Sequence, residues 1–152
     1  VYLMIKPVKP YIKEFIEAGS DIISFHPEAD PDPIDIIQII NESKVKAGIA
    51  IHPHVNILDF ENLFPKIQQI IVMTVVPGFG GQKFMEDQVK KIKQLDDIRK
   101  NKNFTYEISV DGGINNETAK ICKDNGVDIL SVGSYLLSKE ENSYNKIMDS
   151  LR

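Results

Sequence analysis

Six apolar, β-branched runs alternate with helical patterns along this chain, and that alternation predicts an α/β fold built on parallel strands. Two observations carry the prediction. The apolar runs recur roughly every 25–35 residues, the size of a βα unit. The run Ile70-Ile71-Val72-Met73-Thr74-Val75-Val76 is apolar on both faces, as expected of a strand covered on each side. A doubly wound open sheet and a (β/α)8 barrel share this rhythm, and periodicity does not choose between them.

Taken in order, Val1-Tyr2-Leu3-Met4-Ile5 opens inside a strand pattern, which suggests an N-terminally truncated chain. Pro10 stands where a first helical turn tolerates proline. Ile12, Phe15 and Ile16 follow at helical spacing, and Gly19 is placed to end that helix. A second strand is expected over 22–26, closing on His26. Residues 27–33 form a loop rich in proline and acid. Ile34, Ile37 and Ile40 then mark a helix facing the sheet. The third strand, 45–51, ends at His52-Pro53-His54. Asn56 can cap a helix over 58–66 that buries Leu63 and Phe64. The fourth strand is the 70–76 run. The next helix, about 87–100, turns Val89, Ile92, Leu95 and Ile98 inward and its lysines to water. A fifth strand, 106–110, ends at Asp111. Asn115 or Asn116 caps a helix that Gly126 stops. The sixth strand covers 129–132, and a short helical piece follows at 135–137. Ser138 and Glu141 have the spacing of a capping box for a last helix burying Ile147, Met148 and Leu151.

Composition narrows the function. The 152 residues suffice for one domain. Eighteen basic against 22 acidic side chains leave a formal charge of −4, which argues against a nucleic-acid partner. No apolar stretch approaches the ~20 residues of a membrane span, so no membrane role is expected. No secretory leader pattern opens the chain. Cys122 is the single cysteine, so no internal disulfide can form, and a cytoplasmic location fits.

Three loops carry candidate chemistry. Pro77 stops the fourth strand, and Gly78, Phe79, Gly80 and Gly81 follow it before a helix. Bare backbone N–H groups between a strand and a helix N-terminus suit an anion such as phosphate. The same glycines equally suit a tight turn that needs positive φ. Asp111-Gly112-Gly113 is either an aspartate facing a ligand beside phosphate-gripping N–H groups or an ordinary Asp-Gly turn. Gly133-Ser134 opens the short helical piece, where capping and phosphate binding would use the same N–H groups. His26, His52 and His54 all fall at strand ends. They read better as hydrogen-bonded or exposed side chains than as metal ligands.

Read together, Met73-Thr74-Val75, Pro77-Gly78-Phe79-Gly80-Gly81-Gln82 with Phe84, Val110-Asp111-Gly112-Gly113 and Val132-Gly133-Ser134 resemble the signature of the ribulose-phosphate 3-epimerase family. The resemblance runs from Val1 to about Leu151. It implies a (β/α)8 TIM-barrel type, incomplete here, with about six βα units present and the first two missing. Val1 to Ile5 would match the third strand of the barrel. It implies interconversion of ribulose 5-phosphate and xylulose 5-phosphate by proton transfer at the carbon beside the carbonyl. Gly78 to Gly81, Gly112, Gly113, Gly133 and Ser134 would grip the phosphate, and Tyr2, Met4 and Met73 would line the site. Asp111 would be both an acid/base carboxylate and a ligand of a divalent metal (Zn, Fe, Mn or Co) held by two histidines and two aspartates. Tyr2 departs from the pattern, which reads Val-His-Leu-Met with that histidine on the metal. The remaining ligands would precede Val1. The resemblance therefore implies that this chain alone holds no metal tightly and is inactive. Its open sheet edges suggest a homo-oligomer. A relative acting on another ketose phosphate, such as allulose 6-phosphate, and a non-catalytic phosphate-binding relative stand as alternatives.

Overall fold

The computed structural model describes residues 1–151. Its six strands are β1 (Tyr2–Leu3), β2 (Ile22–Phe25), β3 (Lys46–Ile51), β4 (Gln69–Met73), β5 (Glu107–Asp111) and β6 (Ile129–Ser131). They form one parallel sheet in the order of the chain. The intervening α-helices are α1 (Ile12–Glu17), α2 (Pro33–Glu42), α3 (Val89–Lys102) and α4 (Asn116–Asp124), with α5 (Ser134–Leu137) and α6 (Tyr144–Leu151) after β6. Sequential parallel order with helical crossovers is the arrangement of a partial (β/α)8 barrel.

Side-chain alternation along each strand divides the interior in two. Leu3, Ile23, Phe25, Ile49, Ile51, Ile70, Val72, Ile108 and Val110 join the large core between sheet and helices. Ala50, Ile71 and Met73 form a smaller cluster on the other face, with Tyr2 packed against it. The polar positions that alternate with the core residues, Ser24, Ser109 and Asp111, belong to this inner face. Register sets them side by side: Tyr2 pairs Ser24, Ser24 pairs Gly48, Gly48 pairs Gln69, and further along Met73 pairs Asp111, which pairs Ser131. Gly48 must be small, because a Cβ there would lie 2.2 Å from Ser24 Oγ, which donates to Gln69 Oε1.

Several boundaries differ from the sequence pattern. β4 ends at Met73 rather than Val76: the Thr74 N–H still donates to the Asp111 carbonyl at the end of β5, but the Thr74 carbonyl accepts from Met85 N–H instead of from the neighbouring strand. The segment Ile57–Lys66 is 3₁₀-helical and kinked, with Phe60 at φ −120°. Pro65 lacks the N–H a regular α-helix would use there. Asn56 does cap this segment, accepting from Leu58 N–H at 3.2 Å, and Leu63 and Phe64 are buried. Asn115 caps α4 in a capping box with Thr118. No such box joins Ser138 and Glu141. Ser138 Oγ donates to the Tyr135 carbonyl, and a 3₁₀ turn at Glu141–Ser143 precedes α6. In α6 Leu151 is buried while Met148 is exposed.

On the N-terminal side of the sheet, the buried Asp96 of α3 accepts from Arg99 and Lys100. Arg99 continues to Asp128 and to the carbonyls of Tyr106 and Gly126. Asp128 in turn accepts from Ile108 N–H. This network ties α3 to the strand entries, opposite the end where the candidate site lies.

Candidate active site

The C-terminal ends of β4, β5 and β6 surround a cavity of about 230 Å³. Its lining includes Met4, Met73, Gly78, Phe79, Gly80, Gly81, Asp111, Gly112, Gly113, Gly133 and Ser134. Thus three loops far apart in sequence meet because their strands are adjacent and in register. The Phe79 ring is largely exposed at the loop tip. Of the site residues that the family resemblance implies, Tyr2 alone is outside this lining. It sits behind Met73, its hydroxyl 3.5 Å from the Met73 sulfur.

Backbone geometry explains the glycines. Gly112 has φ +123° and Gly113 φ +66°, both in the left-handed half of the map. A Cβ on Gly112 would meet Val75 at 2.5 Å, and one on Gly113 would meet the Phe84 backbone nitrogen at 2.6 Å. The loop after β5 therefore packs directly on the chain leaving β4. Gly78 and Gly81 also have positive φ, but open space surrounds them. Gln82 Nε2 closes that loop by donating to the carbonyls of Val76 and Phe79.

Thr74 stands in the Met73-Thr74-Val75 motif, but the sequence reading gave it no role. It is fully buried, and its hydroxyl lies within hydrogen-bonding distance of the carbonyls of Asp111 (3.1 Å) and Gly112 (2.6 Å). It latches the aspartate-bearing loop to β4. The signal was present as a polar residue inside an otherwise apolar run. Val75, Pro77, Gln82, Ile114 and Ser131 also line the cavity.

Asp111 is half-buried, and burial pushes its carboxyl above the ordinary carboxylate value. Burial, with the negative charges of Asp111 and Glu28, also raises the Tyr2 phenol. Tyr2 Oη and His26 Nε2 are 2.5 Å apart, and His26 Nδ1 lies 3.2 Å from Glu28 Oε1, off a good hydrogen-bond line. His52 and His54 lie beside them, ring centres 5.3 Å apart and planes tilted by 42°, and burial lowers His52. Lys91 of α3 donates to the carbonyls of His52 and Pro53 and fixes that corner.

Among the described residues no three His, Cys, Asp or Glu side chains are grouped to hold a metal ion. Asp111 offers one carboxylate, and the Tyr2 hydroxyl is engaged with His26. These side chains on their own do not fit the metal site that the family pattern implies.

Parallel strands, helical crossovers and a glycine-lined cavity at the strand C-termini define a protein of the (β/α)8-barrel class, here a partial barrel. Residues 1–137 match the ribulose-phosphate 3 epimerase family, and the chain belongs to that family. It is 39% identical over 144 residues to ribulose-phosphate 3-epimerase of Bacillus subtilis (strain 168), covering 93% of this chain and 65% of the relative. It is 32% identical over 152 residues to the Escherichia coli (strain K12) protein of that name, covering all of this chain and 67% of the relative. The chain thus spans about two thirds of the length of these relatives. Among solved structures, 3-keto-L-gulonate-6-phosphate decarboxylase from Vibrio cholerae superposes with a TM-score of 0.74 at 17% identity, covering 99% of this chain and 68% of that one. A 3-hexulose-6-phosphate synthase superposes at 0.67 and 13% identity, covering 96% and 67%. These two likenesses establish the fold alone. No helix among the described residues is long and apolar enough to cross a membrane.

Proposed function

We propose that this chain carries the phosphate grip and one proton-transfer carboxylate of an epimerase that interconverts ribulose 5-phosphate and xylulose 5-phosphate. One observation supports it above the others: Asp111 and the three glycine loops line a single cavity. The N–H groups around Gly81, Gly113 and Ser134 would bind the phosphate and so orient the sugar. Asp111 would remove and return the proton at carbon 3. A carboxyl raised by burial is better matched to that exchange near neutral pH than an exposed one. Inversion needs a second group on the opposite face, and among the described residues Asp111 is the one carboxylate lining the cavity. No step is assigned to a metal, because the side chains described do not fit one. The proposal includes a cytoplasmic enzyme that self-associates through its open sheet edges.

The test is solvent exchange. In heavy water the chain should incorporate deuterium at carbon 3 of ribulose 5-phosphate without producing xylulose 5-phosphate. Asp111→Asn should abolish incorporation, because an amide cannot carry the proton. Exchange indifferent to that substitution, or none above the uncatalysed rate in the parent chain, would refute the role of Asp111.

A further inference from the structure

One peptide plane in the loop after β5 has a glycine on either side. Gly112 precedes it at φ +123° and Gly113 follows it at φ +66°. Two residues without Cβ impose little preference of their own on the way that plane faces. Thr74 fixes it. This residue is fully buried at the end of β4, and its hydroxyl donates to the Gly112 carbonyl at 2.6 Å. Its N–H donates to the preceding carbonyl, that of Asp111, at 2.9 Å. The 112–113 peptide is trans, so its C=O and N–H point in opposite directions. A Gly112 carbonyl turned onto the buried Thr74 therefore turns the Gly113 N–H away from the core. No acceptor among the described residues meets that N–H, and Gly113 lines the cavity together with Gly81 and Ser134.

We infer that Thr74 is a positioning residue for anion binding: its hydroxyl holds the Gly112–Gly113 peptide so that the Gly113 N–H faces the cavity, oriented to donate to a phosphate oxygen. Thr74 is not part of the cavity lining, and it acts through the loop. Without the hydroxyl, the anion itself would have to order that peptide, and part of its binding energy would go into the ordering. The inference rests on the phosphate grip of the epimerase reading.

Thr74→Ser and Thr74→Ala both lose the threonine methyl and differ from each other by one oxygen, so lost packing is common to the two. The parent chain and both variants are titrated calorimetrically with inorganic phosphate, while NMR follows the Gly113 amide. Phosphate should move the Gly113 amide proton downfield in the parent and in Thr74→Ser, with closely similar affinities. Thr74→Ala should bind phosphate about three- to tenfold more weakly, the usual effect of one hydrogen bond, and with a smaller Gly113 shift. Equal phosphate affinity in Thr74→Ser and Thr74→Ala overturns the inference and leaves the phosphate grip standing. So does phosphate binding to the parent that leaves the Gly113 amide unmoved, a result that needs no variant to fold. A parent chain with no affinity for phosphate overturns the phosphate grip and the inference with it.

Discussion

Replacing Gly113 by alanine adds one methyl group at a crowded point of the candidate site. The residue sits at φ +66°, a conformation that costs an L-residue about 1–2 kcal/mol. The new Cβ would lie 2.6 Å from the nitrogen, 2.8 Å from the Cα and 2.9 Å from the Cβ of Phe84. Two of these three atoms are backbone, so no rotamer change relieves the contact. The Phe84 backbone is held in turn, because the next residue, Met85, donates its N–H to the Thr74 carbonyl. Overpacking of this kind costs about 1–3 kcal/mol, so the expected destabilisation is about 2–5 kcal/mol. For a chain of this size that lowers the melting temperature by roughly 5–15 °C. The displaced segment is continuous with Gly81 and Gln82, so phosphate affinity should fall as well. Thermal denaturation and phosphate calorimetry on the same preparations measure both effects. Gly80→Ala is the control: nothing lies within 4 Å of the place its Cβ would take and its φ is not positive, so its melting temperature should match the parent. A Gly113→Ala protein with unchanged melting temperature and phosphate affinity would refute the packing argument.

Further outcomes follow from the same geometry. Thr74→Val should destabilise by about 1–3 kcal/mol, since it strips the Gly112 carbonyl of its 2.6 Å donor without changing shape; denaturant titration reads this directly. Asp96→Asn should destabilise by about 1–3 kcal/mol at pH 7, because it removes one of the two carboxylates paired with a largely buried Arg99 and leaves Asp128 as the other. Burial pushes the Asp96 carboxyl up, but hydrogen bonds from Lys100 and Arg99 outweigh it and hold the carboxyl below its ordinary value. The stability gained from that depressed value is therefore present above the unfolded carboxylate value and is lost as pH falls through the folded one. The parent and Asp96→Asn should accordingly converge in melting temperature at acid pH, and a pH-independent difference would contradict this. The open edges at β1 and β6, with Met148 exposed beside Val132, should drive self-association. Sedimentation at high concentration checks it, and a clean monomer would contradict it.

Much of the architecture was legible in the amino-acid order because its cause is local. The apolar runs of β2, β3 and β5 appear as strands within a residue or two of their expected bounds. Helix ends marked by Asn115, Gly19 and Gly126 fall where those side chains or their absence permit. Failures occurred where a distant partner decides. Val75 and Val76 have strand propensity, yet the Thr74 carbonyl is taken by the Met85 N–H, so the ladder stops. Ser138 and Glu141 have capping-box spacing, but the chain between α5 and α6 takes a 3₁₀ turn that uses neither as an α-helix cap.

The candidate site divides the same way. Glycine loops and Asp111 stood out in the sequence because their backbone demands are written in residue type. Which of those glycines are sterically compelled was not visible, since Gly112 and Gly113 meet Val75 and Phe84 across a gap in the chain, whereas Gly78 and Gly81 meet nothing. Nor could the sequence pair Tyr2 with His26, 24 residues away, or set Met73 beside Asp111, because parallel register across neighbouring strands creates both contacts. Residue type determined which groups could bind an anion or move a proton. The sheet, by bringing successive strand ends onto one rim, decided which of them share a cavity.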